Sequence, residues 1–273
     1  MKTILVPTDF SDVSRNASEY ALAYAKEFQY KVIFYHAYHF PITSGTEEPL
    51  LVMVDPLVLE TEHLIRLKEE VAALMKNYKD IPSECIVSQG LAVDEVIELE
   101  NKKRFDLIIM GIQSTGILSQ MVVGSISTDI IRKGKTPVII IPENATFKII
   151  NKVALGVDYR APLDTKLLEP LKNIVKTCHS KLYILNVVKP NEHIDDKSIA
   201  GIQLENYFED VLHTTYFEEN DVITDGINDF VSEHNIDLIA VIPQKQNLLE
   251  RIFKKSQTKD LAFHAQVPLI TLC

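Results

Sequence analysis

The stretch "MGIQSTGILSQMVVGSISTDII", Met110 to Ile131, carries Gly111, Ser114, Gly124 and Ser125 in an order suited to holding an anion. Glycine lets backbone approach a ligand closely and take conformations closed to other residues. Gly124-Ser125 leads into an amphipathic helix, whose first turn offers unpaired N–H groups and the positive end of the helix dipole. A phosphate fits there without any lysine, and the Ser125 hydroxyl adds a side-chain donor. The plainer alternative is a turn at Gly124 and a helix cap at Ser125.

Asp9, after "ILVPT", could coordinate a divalent cation bridging phosphates, accept from a ribose hydroxyl, or cap the helix that follows. His36 and His39 stand three apart at a strand end, an awkward spacing for shared metal ligation, with no cysteine or carboxylate joining them at ligand spacing. Both read as structural or solvent-facing. The chain has no G-x-x-x-x-G-K-[ST] loop, no G-x-S-x-G elbow and no His, Ser and Asp set that spacing alone would nominate. No catalytic residue is therefore assigned.

The elements that must position these residues alternate between apolar runs and helical patterns, the mark of βαβ units in a mostly parallel sheet. Strands are expected at Ile4–Pro7, Lys31–Ala37, Glu84–Ser88, "FDLIIMG" and "PVIIIP". Helices should follow Thr8-Asp9-Phe10, with Ser11 or Asp12 as cap, and cover Leu57–Tyr78, Ala92–Asn101 and Ser125–Lys133. The prolines and glycine of Phe40 to Pro56 predict a long loop. In such a sheet, ligands gather at the carboxyl ends of strands where strand order reverses. Pro7-Thr8-Asp9, Ala37 and Met110–Ser125 all end there.

The plan then repeats. "NKVALGVDYR" echoes "KTILVPTDFS", with Asp158 where Asp9 stands, and a constant shift of 131 sets Asp106 on Asp237, Ser125 on Ser256, Asp129 on Asp260 and Pro137 on Pro268. A tandem duplication follows, residues 1–146 as the first domain and 147–273 as the second, with weaker secondary structure expected around Pro190 to Ala200. The chain of 273 residues, 46% hydrophobic, can bury a core in each domain. In the second copy the same register puts Ile242, Lys245 and Lys255 at the positions of Gly111, Ser114 and Gly124, so side chains would fill the phosphate space. Asp158 would survive as a cap.

The net charge of −10 opposes a nucleic-acid surface. Three well-separated cysteines suit a reducing compartment. A strand that starts by the third residue leaves no room for a secretion signal, and no apolar run reaches the ~18 residues of a membrane span. A cytoplasmic protein, with no membrane or nucleic-acid partner, is the expectation.

"ILVPTDFSDVSRNASEYALAYA", the strand ending in His36-Ala37, "DLIIMG" with its loop, Gly124-Ser125 and "TPVIIIP" together resemble the universal stress protein family, in two tandem copies. The resemblance implies two five-stranded parallel sheets sandwiched by helices, Rossmann-like and similar to an adenine-nucleotide α-hydrolase, related by a pseudo-two-fold axis. Its ATP-binding members carry G-x2-G-x9-G-[ST]; here Ser114 replaces the second glycine, a change that would weaken ATP binding if bare backbone is needed there, with Gly116 absorbing part of the turn. The resemblance further implies Pro7, Thr8 and Asp9 near the ribose or Mg²⁺-bridged phosphates, with Asp9 as the metal contact, and main-chain groups of Ala37 for adenine. Met110 and Gly111 would flank the nucleotide, and Gly124, Ser125 and Ile126 would hold the phosphates. Pairing of "PVIIIP" with "PLITLC" would make an intramolecular pseudo-dimer, with a homodimer as a further option.

Two functions follow. One is a stress-response regulator binding ATP or a related adenine nucleotide in its first domain, with at most slow hydrolysis since no general base or arginine finger is evident. The other is a nucleotide-independent interaction module with decayed sites. An enzyme consuming adenine nucleotide is disfavoured because no SGGxDS loop follows the first strand.

Overall fold

The computed structural model describes residues 1–39, 55–112, 114–115, 120–121, 125–160, 162–190, 198–242 and 267–272. The first half runs β1 (Thr3–Pro7), α1 (Asp12–Phe28), β2 (Lys31–Tyr38), α2 (Pro56–Leu74), β3 (Ser83–Gln89), α3 (Ala92–Lys102) and β4 (Leu107–Ile112). A two-residue hairpin, β5 (Ser114–Thr115) with β6 (Gln120–Met121), leads to α4 (Ser125–Lys133) and β7 (Val138–Pro142). The second half has β8 (Lys152–Gly156), a 3-10 turn (Thr165–Leu168) running into α5 (Glu169–Cys178), and β9 (Lys181–Val188). It continues through α6 (Ile199–Tyr207), β10 (His213–Glu219), α7 (Ile223–His234), β11 (Leu238–Val241) and β12 (Leu269–Thr271).

The expected elements are present, with ends shifted by a few residues. The α2 helix stops at Leu74 and tightens into a 3-10 turn, Met75–Asn77, short of the expected Tyr78. Strands such as β7 are buried along their whole length because helices cover both faces of the parallel sheet. In α1, Ala17, Ala21 and Tyr24 face that sheet, and the Ser11 hydroxyl caps the helix by accepting from the Ser14 N–H at 3.2 Å. The loop expected over Phe40 to Pro56 falls largely outside the described residues, although Asp55 and Pro56 already belong to the start of α2.

The two halves share one ten-stranded sheet, in the order β10-β9-β8-β11-β12-β7-β4-β1-β2-β3. The join is the expected pairing of "PVIIIP" with "PLITLC", and it is antiparallel, unlike the other contacts of this sheet. Leu269 faces Ile140, Ile270 faces Ile139 and Thr271 faces Val138. Ile139 and Ile270 differ by the repeat shift of 131, so each meets its own equivalent, as a pseudo-two-fold axis through that pair requires. Both side chains are fully buried, and the apolar layers on the two faces run across the join without a break.

The connecting segment is anchored as well. The Asn16 amide donates to the carbonyls of Pro142 and Ala145 at 3.1 and 3.0 Å, and the Phe147 ring meets those of Tyr20 and Tyr24 edge-on. Truncating Ile270 to alanine opens a cavity at the join and should cost about 2–5 kcal/mol. In urea denaturation both halves should then unfold earlier; loss confined to one half would contradict a shared core.

Candidate functional site

Within the first half, β1 lies between β2 and β4. The chain therefore leaves β1 toward one side and returns on the other, and the carboxyl ends of β1 and β4 splay at a switch point that can admit a ligand. Pro7, Thr8 and Asp9 leave β1 at this edge, while buried Met110 and half-buried Gly111 lie near the end of β4. Ala37 lies beside them on β2. The β1 pairing stops at Pro7 opposite Tyr35, and the Thr8 N–H donates to the Tyr35 carbonyl at 2.8 Å. Two residues further, Ala37 turns its N–H and C=O to the same side, beyond the end of β1. Among the described residues those main-chain groups have no hydrogen-bond partner across the end of β1.

The loop after β1 is held from within. The Thr8 hydroxyl accepts from the Phe10 N–H at 3.1 Å and shares a hydrogen bond with the Ser14 hydroxyl at 2.9 Å. Asp9 is exposed and accepts from the Ser11 N–H at 3.0 Å. Partial burial pushes its carboxyl up, but the hydrogen bonds from Ser11 and Ser14 outweigh this and hold it below the usual carboxylate range. It stays anionic, as a metal or ribose contact must. Phe10 takes a left-handed backbone, φ 67°. That conformation costs a non-glycine residue on the order of 1–2 kcal/mol.

Gly111 is bare for a reason the sequence does not display. A Cβ on it would lie 2.5 Å from the Val13 carbonyl oxygen, because the first turn of α1 presses on β4 there. Ser114 opens the β5–β6 hairpin, in an extended backbone that serine adopts readily. Gly124 lies outside the described residues, and Ser125 begins α4 with Ile126 exposed in its first turn.

A comparison with protein-family sequence models matches residues 1–142 to the universal stress protein family. The chain belongs to that family. Over 147 residues it is 29% identical to universal stress protein MJ0531 of Methanocaldococcus jannaschii, covering 51% of this chain and 81% of that protein. A universal stress protein of Thermus aquaticus is 26% identical over 141 residues, covering 51% of this chain and 98% of its own. The crystal structure of a universal stress protein from Archaeoglobus fulgidus aligns with 98% of this chain and 97% of its own, with TM-score 0.74 and 20% identity, so the family fold extends through the second half.

The two halves of this universal stress protein differ at the carboxyl edge. The second-half helix begins late, at Glu169, and Ile242, at the Gly111 position, packs against the core. Asp158 caps no helix, contrary to expectation. It accepts from the Arg160 N–H and Nε at 3.0 and 2.9 Å, and the 3-10 turn before α5 is capped by Asp164 instead. Lys245 and Lys255 lie outside the described residues.

His36 and His39 part company. His39 is exposed. His36 is buried and donates from Nδ1 to the Thr8 carbonyl at 2.8 Å, which leaves Nε2 as an acceptor for the Nδ1–H of His63, 3.1 Å away on α2. The His63 ring stacks on Tyr38 at 4.5 Å, and the Phe10 ring lies between His36, at 4.3 Å, and the Arg66 guanidinium, at 4.0 Å. Sequence reasoning missed His63 and Arg66. Their spacing of one helical turn puts them on one face of α2, but only the packing of α2 beside β2 and β3 shows what that face meets.

Two predictions follow from this geometry. Gly111→Ala should lower stability by about 1–3 kcal/mol without any ligand present, measured by thermal denaturation, because Val13 must move. The histidine pair makes stability depend on pH. Burial lowers the pKa of His36 from 6.5, with His63 and Arg66 adding to it against the Thr8 bond and Asp9. Burial lowers His63 too, with Arg66 assisting and Glu62 opposing. A base with a lowered folded pKa contributes stability that is present above its unfolded value and lost as pH falls below it. His213 has the opposite sign: burial lowers its pKa, but its bonds to the Val211 carbonyl and Glu205 outweigh this and raise it. Its contribution is lost as pH rises through the folded value. The difference between His63→Phe and the parent cancels His213 and isolates the part due to His63, and the melting temperature of the variant should fall less between about pH 8 and pH 5.5.

Proposed function

We propose that the first half binds ATP or a related adenine nucleotide as a regulatory ligand in a stress response. The observation that supports this reading is that Ala37 on β2 and the anionic Asp9 after β1 stand at one switch point, with α4 the next helix after β4. In this reading Ala37 takes the adenine, and Pro7, Thr8 and Asp9 lie along the ribose and phosphates. Asp9 supplies a ligand to Mg²⁺ bridging the phosphates. Met110 and Gly111 flank the nucleotide, Ser114 lies in the loop beside it, and the run Gly124, Ser125 and Ile126 receives the phosphates at the positive end of the α4 dipole.

The family model matches residues 1–142, and the second half serves in this proposal as the structural partner within an intramolecular pseudo-dimer, residues 1–146 with 147–273. Arg160 neutralises Asp158, and Ile242 fills the position of Gly111. Turnover, where it occurs, is slow, because Arg66 is engaged with the Phe10 ring and the Asp9 carboxylate with the Ser11 amide. Among the described residues no helix is long and apolar enough to cross a membrane.

The test is calorimetric titration with ATP, with and without Mg²⁺. Heat at one site per chain, lost in Gly124→Val, is the expected result. Absence of heat at millimolar ATP would favour the interaction module with decayed sites.

A further inference from the structure

At the amino edge of the first half, away from the switch point, a cleft of about 720 Å³ opens between the two halves, a volume in the range of small-molecule sites. Its floor includes Tyr24, Phe28 and Ile174. Four exposed cations line it: Lys2 before β1, Arg104 before β4, Lys135 before β7, and Lys166 beside α5 of the second half. None of the four makes an ion pair among the described residues, and Lys2 lies over the Tyr30 ring at 5.7 Å. The lining carboxylates are already engaged. Glu100 accepts from the Thr136 N–H at 3.0 Å, Asp106 from the Thr3 N–H at 2.8 Å, and Glu169 from the Tyr207 hydroxyl at 2.8 Å.

The pseudo-symmetric mate of this cleft supplies an internal control. A smaller cavity of about 270 Å³ is lined by Val231, Asn235, Ile236, Asp237 and Val267, each 131 residues on from Glu100, Arg104, Phe105, Asp106 and Thr136 of the cleft. Asp237 repeats the task of Asp106, accepting from the Asn151 and Lys152 N–H groups at 3.0 Å. There the connecting segment Asn144–Thr146 and Lys148 supplies part of the wall. The cations of the first cleft have become amides in the second copy: Lys2 corresponds to Asn151, Arg104 to Asn235 and Lys135 to Gln266. The structural aspartate is thus kept in both copies; the one lining cation of the smaller cavity, Lys148, is paired with Asp237 at 3.4 Å, whereas the four of the open cleft are unpaired among the described residues. In a chain with net charge −10, that concentration of unpaired cations over an apolar floor is a specific feature.

We infer that this amino-edge cleft between the halves is a second ligand site, for a small organic anion with an apolar body and carboxylate or phosphate groups. The body packs on Tyr24 and Ile174 and the anionic groups reach Arg104, Lys135 and Lys166. The site is separate from the proposed nucleotide site and does not depend on it.

The probe is 1-naphthyl phosphate, followed by calorimetry and by its fluorescence, with neutral 1-naphthalenemethanol as control. Saturable binding at one site per chain should persist in the presence of saturating ATP and in Gly124→Val. It should weaken about tenfold in Arg104→Glu/Lys135→Glu, whose ATP titration stays that of the parent. Lys166→Glu, on the opposite wall, reads the same effect should the double variant lose its fold. Absence of saturable binding at millimolar probe overturns the inference, as do equal binding of the neutral control, displacement by ATP, or undiminished affinity in the charge-reversed proteins.

Discussion

The antiparallel contact between β7 and β12 is the constraint from which the rest of the molecule follows. A five-stranded sheet of each half would otherwise end in a mostly apolar strand, buried here along its whole length, with unpaired backbone groups, an edge that invites aggregation. Pairing the two edges about Ile139 and Ile270 satisfies both backbones at once and joins the apolar layers into continuous cores. Because the strands run antiparallel there, the carboxyl edge of one half lies at the same end of the molecule as the amino edge of the other. The switch point of the first half and the basic cleft therefore lie at opposite edges of its sheet, and the cleft has walls from both halves.

The same symmetry makes the differences between the halves interpretable. Equivalent positions have diverged where their surroundings diverged. Gly111 must be bare because the first turn of α1 presses on it, whereas in the second half the helix starts later and Ile242 packs against the core. Asp9 faces solvent with its charge held by local N–H and hydroxyl donors, whereas Asp158 is bound to Arg160. Asp106 and Asp237, whose task of holding the start of the neighbouring strand is common to both halves, are unchanged.

At the first-half carboxyl edge, local order comes from a relay that runs Thr8 carbonyl, His36, His63, with Phe10 clamped between His36 and Arg66. A carbonyl can only accept, so the relay requires one tautomer of each neutral imidazole. The clamp offsets the cost of the left-handed Phe10 backbone and ties α2 to the loop that carries Thr8 and Asp9.

Sequence alone determined the alternation of strands and helices, the repeat shift of 131 and the placement of Pro7, Asp9, Ala37 and Gly111 at strand ends, because periodicity and strand ends are local properties of the chain. The pairing of the last strands is an expectation from the family resemblance that the fold bears out. Sequence misassigned Asp158, since a cap and an ion pair look alike until the next helix is placed. The histidine relay, the reason Gly111 is bare and the basic cleft were decided only by tertiary structure. Each joins residues far apart in sequence, His36 with His63, Val13 with Gly111, Arg104 with Lys166, and their meeting depends on how helices and halves pack.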